Sequence, residues 1–200
     1  MTKAQSVAEQ EAKLLAVMSG QRFLNMEGLT HEIPFFIYPY DPLKALEVAG
    51  AKKRLATNLG LRGVVVIEIN LYELTIEILQ ARGAWDAVLA IEPEMDKADF
   101  HEFLQGPLDP EAHIAPAVRA KLAGTDYDVL FLTGVGEVFP YIRSHNVLNN
   151  LMSVCKGKPM VVFFPGDYEQ SDTLGSALVL FGKLKDDQYY RAKNILKQGA

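Results

Sequence analysis

The residues of this chain best suited to chemistry lie between Asp128 and Tyr168. An apolar run, Val129 to Leu132, stops at Thr133-Gly134-Val135-Gly136, and a second, Met160 to Phe164, stops at Pro165-Gly166-Asp167-Tyr168. Glycine loops that follow strands can offer backbone amides to a phosphate group. Thr133, Gly134 and Gly136 are therefore candidate ligand-binding residues, and one reading of the chain is a nucleotide- or phosphate-binding protein built on this loop. No G-x-x-x-x-G-K-[ST] is present, however, and the loop lacks the third glycine of the dinucleotide fingerprint. A two-glycine loop after a strand is more often a tight turn.

The helical stretch that follows carries a second candidate group. At about 100° per residue, Val147, Leu148, Leu151, Met152, Val154 and Cys155 fall on one side. His145, Asn146, Asn149 and Asn150 fall on the other. Asparagine is a poor helix former, because its side chain competes for the backbone. A face of three asparagines and a histidine is therefore expected to bond either to a neighbouring loop or to a ligand or partner, with Arg143 fixing the same loop. Ser144 reads as the helix cap.

Catalytic arrangements are not visible. Cys155 sits among apolar residues with no base beside it, which reads as a buried structural thiol. His31, His101, His113 and His145 lack metal-ligand spacing. Glu73 and Glu77 read as a solvated helix face, whereas Glu68, within an apolar strand, needs a partner. The chain is accordingly expected not to be an enzyme and to need no cofactor or metal.

The elements that must position these groups follow from hydrophobic periodicity. Two hundred residues, 49% hydrophobic and 22% charged, suit one globular domain over residues 1–200. Strands are expected over Ile33–Tyr38, Gly63–Ile69, Val129–Leu132, Met160–Phe164 and Ala177–Phe181, with helices between most of them. A closing helix is expected over Gln188–Lys197, and an exposed loop over Gly166–Ser176. Strands separated by helices imply crossovers and hence parallel pairing. The expected class is α/β, a three-layer αβα domain with a mainly parallel sheet of about five strands, Rossmann-like without an intact P-loop. The Val64–Ile69, Val129–Leu132 and Met160–Phe164 runs are expected to be central strands covered on both faces.

A net charge of −5 and a pI near 5.4 argue against broad nucleic-acid affinity, despite the Lys52-Lys53-Arg54 cluster with Arg62. No signal peptide or membrane-length apolar run is visible, so a cytoplasmic protein is expected. The tail Lys185-Asp-Asp-Gln-Tyr189-Tyr190-Arg191 offers Tyr189 and Arg191 as partner-binding anchors, set against a plain capped helix start.

Several runs together resemble the BrxB family of bacterial BREX phage-defence systems. They are Glu27-Gly-Leu with Glu32-Ile-Pro-Phe, Glu68-Ile-Asn-Leu-Tyr72, Phe131-Leu-Thr-Gly-Val-Gly136, Pro140 to Leu151, Pro165-Gly-Asp-Tyr168 and Lys185 to Arg191. The resemblance implies a place in a multi-protein system beside PglZ, a methyltransferase and an ATPase, with PglZ the expected partner. It supplies no catalytic motif. The leading expectation is a non-catalytic adaptor that binds another BREX component.

Overall fold

The computed structural model describes residues 5–27, 35–155, 157–171, 175–186 and 192–199. The chain divides into two compact units: Met1–Glu68 with Asp126–Leu132 and Gly157–Ala200, and Ile69–Thr125 with Thr133–Lys156.

The first unit begins with α1 (Val7–Met18), which opens on a reciprocal cap. The Ser6 hydroxyl accepts from the Glu9 amide, and the Glu9 carboxylate accepts from the Ser6 amide at 2.7 Å. A single turn, α2 (Gln21–Leu24), follows, then β1 (Phe35–Tyr40). The Asp41 carboxylate accepts from the Leu43 amide at 3.0 Å and starts a 3₁₀ turn, Pro42–Lys44, that runs into α3 (Ala45–Gly60). The remaining strands are β2 (Val66–Asn70), β3 (Val129–Thr133), β4 (Met160–Ser171), β5 (Gly175–Leu180), β6 (Leu184–Asp186) and β7 (Lys193–Asn194). A 3₁₀ turn, Ile195–Lys197, is the last described element.

The strand order is β2-β3-β4-β1-β7, with β5 and β6 attached through β4. β1 runs parallel to β4 and β7, and β3 parallel to β4, whereas the β4–β5 and β5–β6 pairs are antiparallel. The sheet is thus mostly parallel with flanking helices, the α/β class expected. One sheet face sets Phe36, Tyr38, Phe131, Val161 and Phe163 in a core with Val7, Leu14 and Val17 of α1 and Val48, Leu55 and Leu59 of α3. Phe163 stacks its ring against Tyr38 edge-on at 5.3 Å and against Phe131 at 5.0 Å. The alternate residues Ile37, Leu130, Leu132, Val162 and Phe164 are also buried. Burial on both faces is what continuous apolar runs dictate.

Four sequence expectations are corrected. Among the described residues the sheet has seven strands, not about five. The Val64–Ile69 run is not central: β2 begins only at Val66, lies at the end of the strand order, and leaves Val65 51% exposed. Its Glu68 is consequently an exposed acid, ion-paired with Lys52 of α3. Strand order depends on tertiary pairing that an apolar run does not encode. Of the expected Gly166–Ser176 loop, the described residues 166–171 and 175–176 are strand, because β4 continues through Pro165 to Ser171 and pairs with β5, Gly166 facing Leu180 and Tyr168 facing Leu178; residues 172–174 lie outside the described residues. Tyr168 is buried there and donates to the Ala192 carbonyl at 2.6 Å. The expected closing helix is absent over 193–197, which hold β7 and the 3₁₀ turn; residues 187–191 lie outside the described residues.

The second unit is helical: α4 (Leu71–Ala81), α5 (Trp85–Ile91), α6 (Lys97–Gln105), a π-helical turn (Pro110–Ile114) leading into α7 (Ala115–Leu122), and α8 (Ser144–Leu151). Leu71, Leu74, Ile78 and Leu79 of α4, Ile114, Val118 of α7, and Val147, Leu148 and Leu151 of α8 are buried. Glu77 forms an exposed ion pair with Lys121 at 2.7 Å, a contact of small energetic weight.

Candidate functional site

All the described residues singled out for binding fall within Thr133–Leu151, in the second unit. Tyr189 and Arg191 lie outside the described residues.

Thr133 ends β3 and is buried. Gly134 then turns the chain with φ +75°, and the Glu137 amide donates to its carbonyl at 3.1 Å. A Cβ at Gly134 would stand 2.4 Å from Asn70 Oδ1 and 3.0 Å from the Tyr72 amide nitrogen. Only glycine fits both that dihedral and that approach. Asn70 is itself the N-cap of α4, its side-chain oxygen accepting from the Tyr72 amide at 2.9 Å and the Glu73 amide at 3.3 Å. The amides that would greet a phosphate at this helix start already have a protein acceptor. Gly136 follows, half-buried between the buried Val135 and Val138.

The rest of the loop is held from two sides. Tyr141 is hydrogen-bonded to the Thr75 side chain of α4, and Thr75 donates to the Tyr72 carbonyl at 2.7 Å. Burial, with Tyr72 and Glu137 nearby, raises Tyr141 above the ordinary phenol value, and the Thr75 bond works against that rise. His101 Nε2 of α6 lies 2.8 Å from the Pro140 carbonyl oxygen and 3.1 Å from Gln105 Nε2. Ile142 is buried. These anchors, Thr75, His101 and Tyr141, were not singled out from sequence for binding, because their pairing joins segments far apart in the chain.

Arg143 occupies the N-cap position of α8, with no side-chain cap. Ser144 is therefore the first helical residue and not the cap expected. The Arg143 side chain is exposed and has no partner among the described residues. On the polar face, Asn146 and Asn149 are exposed, while His145 and Asn150 are half-buried. Asn150 Nδ2 donates to the Asn146 carbonyl at 2.8 Å, a bond within the helix and not to a neighbouring loop. The Asn149 side chain makes no hydrogen bond among the described residues. Cys155, just beyond the helix, is buried, and burial pushes its thiol up to about 12. At neutral pH it is a thiol and not the thiolate a nucleophile requires.

Among the described residues, no three His, Cys, Asp or Glu side chains converge as a metal site. None of the described helices is long and apolar enough to cross a membrane.

Compared with known protein families, residues 67–195 match the model of "BREX protein BrxB". The chain belongs to the BrxB family. The BREX protein BrxB of Bacillus cereus (strain H3081.97) is 34% identical over 209 residues, covering 95% of this chain and 97% of that protein. The BREX protein BrxB of Escherichia coli O9:H4 (strain HS) is 29% identical over 175 residues, covering 88% and 84%. No solved structure matches the chain. The BrxB match takes in the glycine loop, its Asn70 support, α8 and the α5–α6 segment. A part in BREX phage defence follows from this membership.

Proposed function

We propose that the chain is a cytoplasmic, non-catalytic accessory component of its BREX system that acts by binding another protein of the system, PglZ foremost. The observation that carries the non-catalytic part is the packing of Gly134 onto the Asn70 cap, which leaves the glycine loop a structural joint. The protonated, buried Cys155 supports the same reading. Family membership supports a partner within BREX, and the uncommitted side chains of Arg143 and Asn149 are of the kind a protein surface uses.

The test is co-purification of the tagged chain with each BREX component in turn, alongside assays of ATP and GTP turnover. The reading expects a stoichiometric complex with PglZ and no turnover. Capture of none of the components, or turnover that Gly134→Ala abolishes, would overturn it.

A further inference from the structure

Charge is unevenly placed along this chain. Residues 84–105, which hold α5 and α6, contain six acids (Asp86, Glu92, Glu94, Asp96, Asp99 and Glu102) against the single base Lys97. That segment's formal charge of −5 equals the charge of the whole chain, so the remaining residues are balanced. All six carboxylates are exposed, and none has an ion-pair partner among the described residues.

The same segment is unusually thinly buried. Val88 and Leu104 alone in it are buried, while Leu89 is 47% and Phe103 40% exposed. On α6, Phe103, Phe100 and Leu104 fall within about 100° of one another and form one stripe. Leu104 at one border of the stripe is covered. Phe100 is half-buried, and Phe103 at the other border stands open, its ring stacked on Phe100 at 6.4 Å and 19°. Asp99 follows Phe103 around the helix, so the open aromatic edge meets a carboxylate. Water gains nothing from an aromatic pair, and unpaired carboxylates on its border repel any acidic occupant.

We propose that the Phe100–Phe103 face of α6, with the carboxylates of Asp99 and Glu102, is a docking surface for a basic amphipathic segment of a partner protein; Asp96, whose carboxylate caps α6 by accepting from the Ala98 and Asp99 amides, is left out of it. Such a segment alternates Lys or Arg with large apolar residues: the apolar side covers Phe103 and the cations meet the acidic border. A second copy of this chain fits poorly, since pairing this face with itself would set carboxylate against carboxylate. Nucleic acid is repelled by the same charges. This inference rests on the partner-binding reading above and assigns that reading a surface.

The test uses the full-length chain co-expressed with the other components of its defence system. Three variants are compared with wild type: Phe103→Ser, the charge reversal Asp99→Lys with Glu102→Lys, and, as a control on exposed leucines elsewhere, Leu43→Ser with Leu46→Ser. The expected result is that both α6 variants keep the wild-type thermal midpoint and helix content but bind the captured component at least tenfold more weakly. The control variant binds normally, wild-type affinity falls as salt rises, and cross-links place a net-basic segment of the partner on α6. If wild type captures a component and both α6 variants hold it equally well, the surface is wrong and the partner-binding reading stands. If wild type captures none, both fall. An α6 variant that changes only self-association in light scattering, or a cross-linked segment that is acidic, also overturns the proposal. Should Phe103→Ser unfold, the charge reversal alone decides, since both of its positions are exposed.

Discussion

Gly134 and Gly166 occupy matching places in the sequence, each just past an apolar strand run, yet they do opposite things. At Gly134 the chain leaves β3 and settles on the capped start of α4, with a side-chain oxygen as its nearest neighbour. At Gly166 the chain does not leave β4 at all. It adopts φ +149° so that β5 can pair with it, and a Cβ there would stand 2.1 Å from the Val179 carbonyl oxygen and 2.9 Å from the Phe181 amide nitrogen. One glycine ends a strand, whereas the other lets a strand pass from parallel to antiparallel partners. The difference lies in what crowds them most closely, the Asn70 side chain in one case and the β5 backbone in the other.

That contrast predicts an order of effects. Gly166→Ala is expected to cost on the order of 3 kcal/mol or more, because neither the dihedral nor the β5 backbone can relax without breaking the pairing. A urea midpoint close to wild type would break the comparison at its strong end. Gly134→Ala is expected to cost about 2 kcal/mol, the sum of a left-handed dihedral and a displaced Asn70 cap. Asn70→Ala alone should cost about 1 kcal/mol, the value of one N-cap. The double variant should then cost about 1 kcal/mol less than the two single losses together, since the cap is lost only once. Strict additivity would mean that Asn70 does not crowd Gly134.

Alkaline pH separates the two units by another route. Burial pushes Cys155, in the helical unit, from its ordinary 9.0 up to about 12, and Tyr38, in the sheet unit, from 10.0 to about 12. Desolvation is the main cause for both, and the Tyr38 hydroxyl donates to Gln10 Oε1 at 2.8 Å. Each folded group keeps its proton where the unfolded chain has lost it. The stability involved is present below the unfolded value and is lost as pH rises, from 9 towards 12 for the thiol and from 10 towards 12 for the phenol. One pH unit into that window is worth on the order of 1 kcal/mol per group. Denaturation across a pH series should therefore weaken first near 9, and Cys155→Ala should remove that first step while leaving the second. Rapid alkylation of the folded protein at neutral pH would contradict the buried thiol.

The smallest effect is expected on α8. The Asn149 side chain is exposed and unbonded, so Asn149→Ala should raise stability by about 0.5 kcal/mol through helix propensity. A fall in thermal midpoint would mean that the polar face is used internally after all. An unchanged fold with lost phage resistance would place a partner there.

The comparison also shows where sequence reading succeeds and where it stops. The apolar runs of β3 and the first half of β4 announced buried strands because both faces of each are covered. The covered side of α8 at Val147, Leu148 and Leu151 was equally legible, being a local signal of period, although the helix ends at Leu151 and Met152 beyond it is exposed. Gly166 misled because Pro-Gly normally ends a strand, and only its distant partner β5 makes it continue. The position of β2 at the sheet edge was illegible for the same reason: its residues are apolar whether or not a further strand lies beyond. Periodicity reports a preference for burial, whereas burial itself depends on what else the chain places nearby.

The edge strand β2 carries one more consequence, for the behaviour of the protein at high concentration. Its outer row of backbone groups, flanked by the exposed Val65, is the sort of rim onto which a second chain can add a strand and begin an aggregate. Glu68 sits within that short strand and is tied to Lys52. An incoming strand would have to desolvate this charged pair to lie flat against the rim. A single carboxylate in an otherwise apolar run thus acts as a gatekeeper, keeping molecules crowded together in solution from zipping edge to edge.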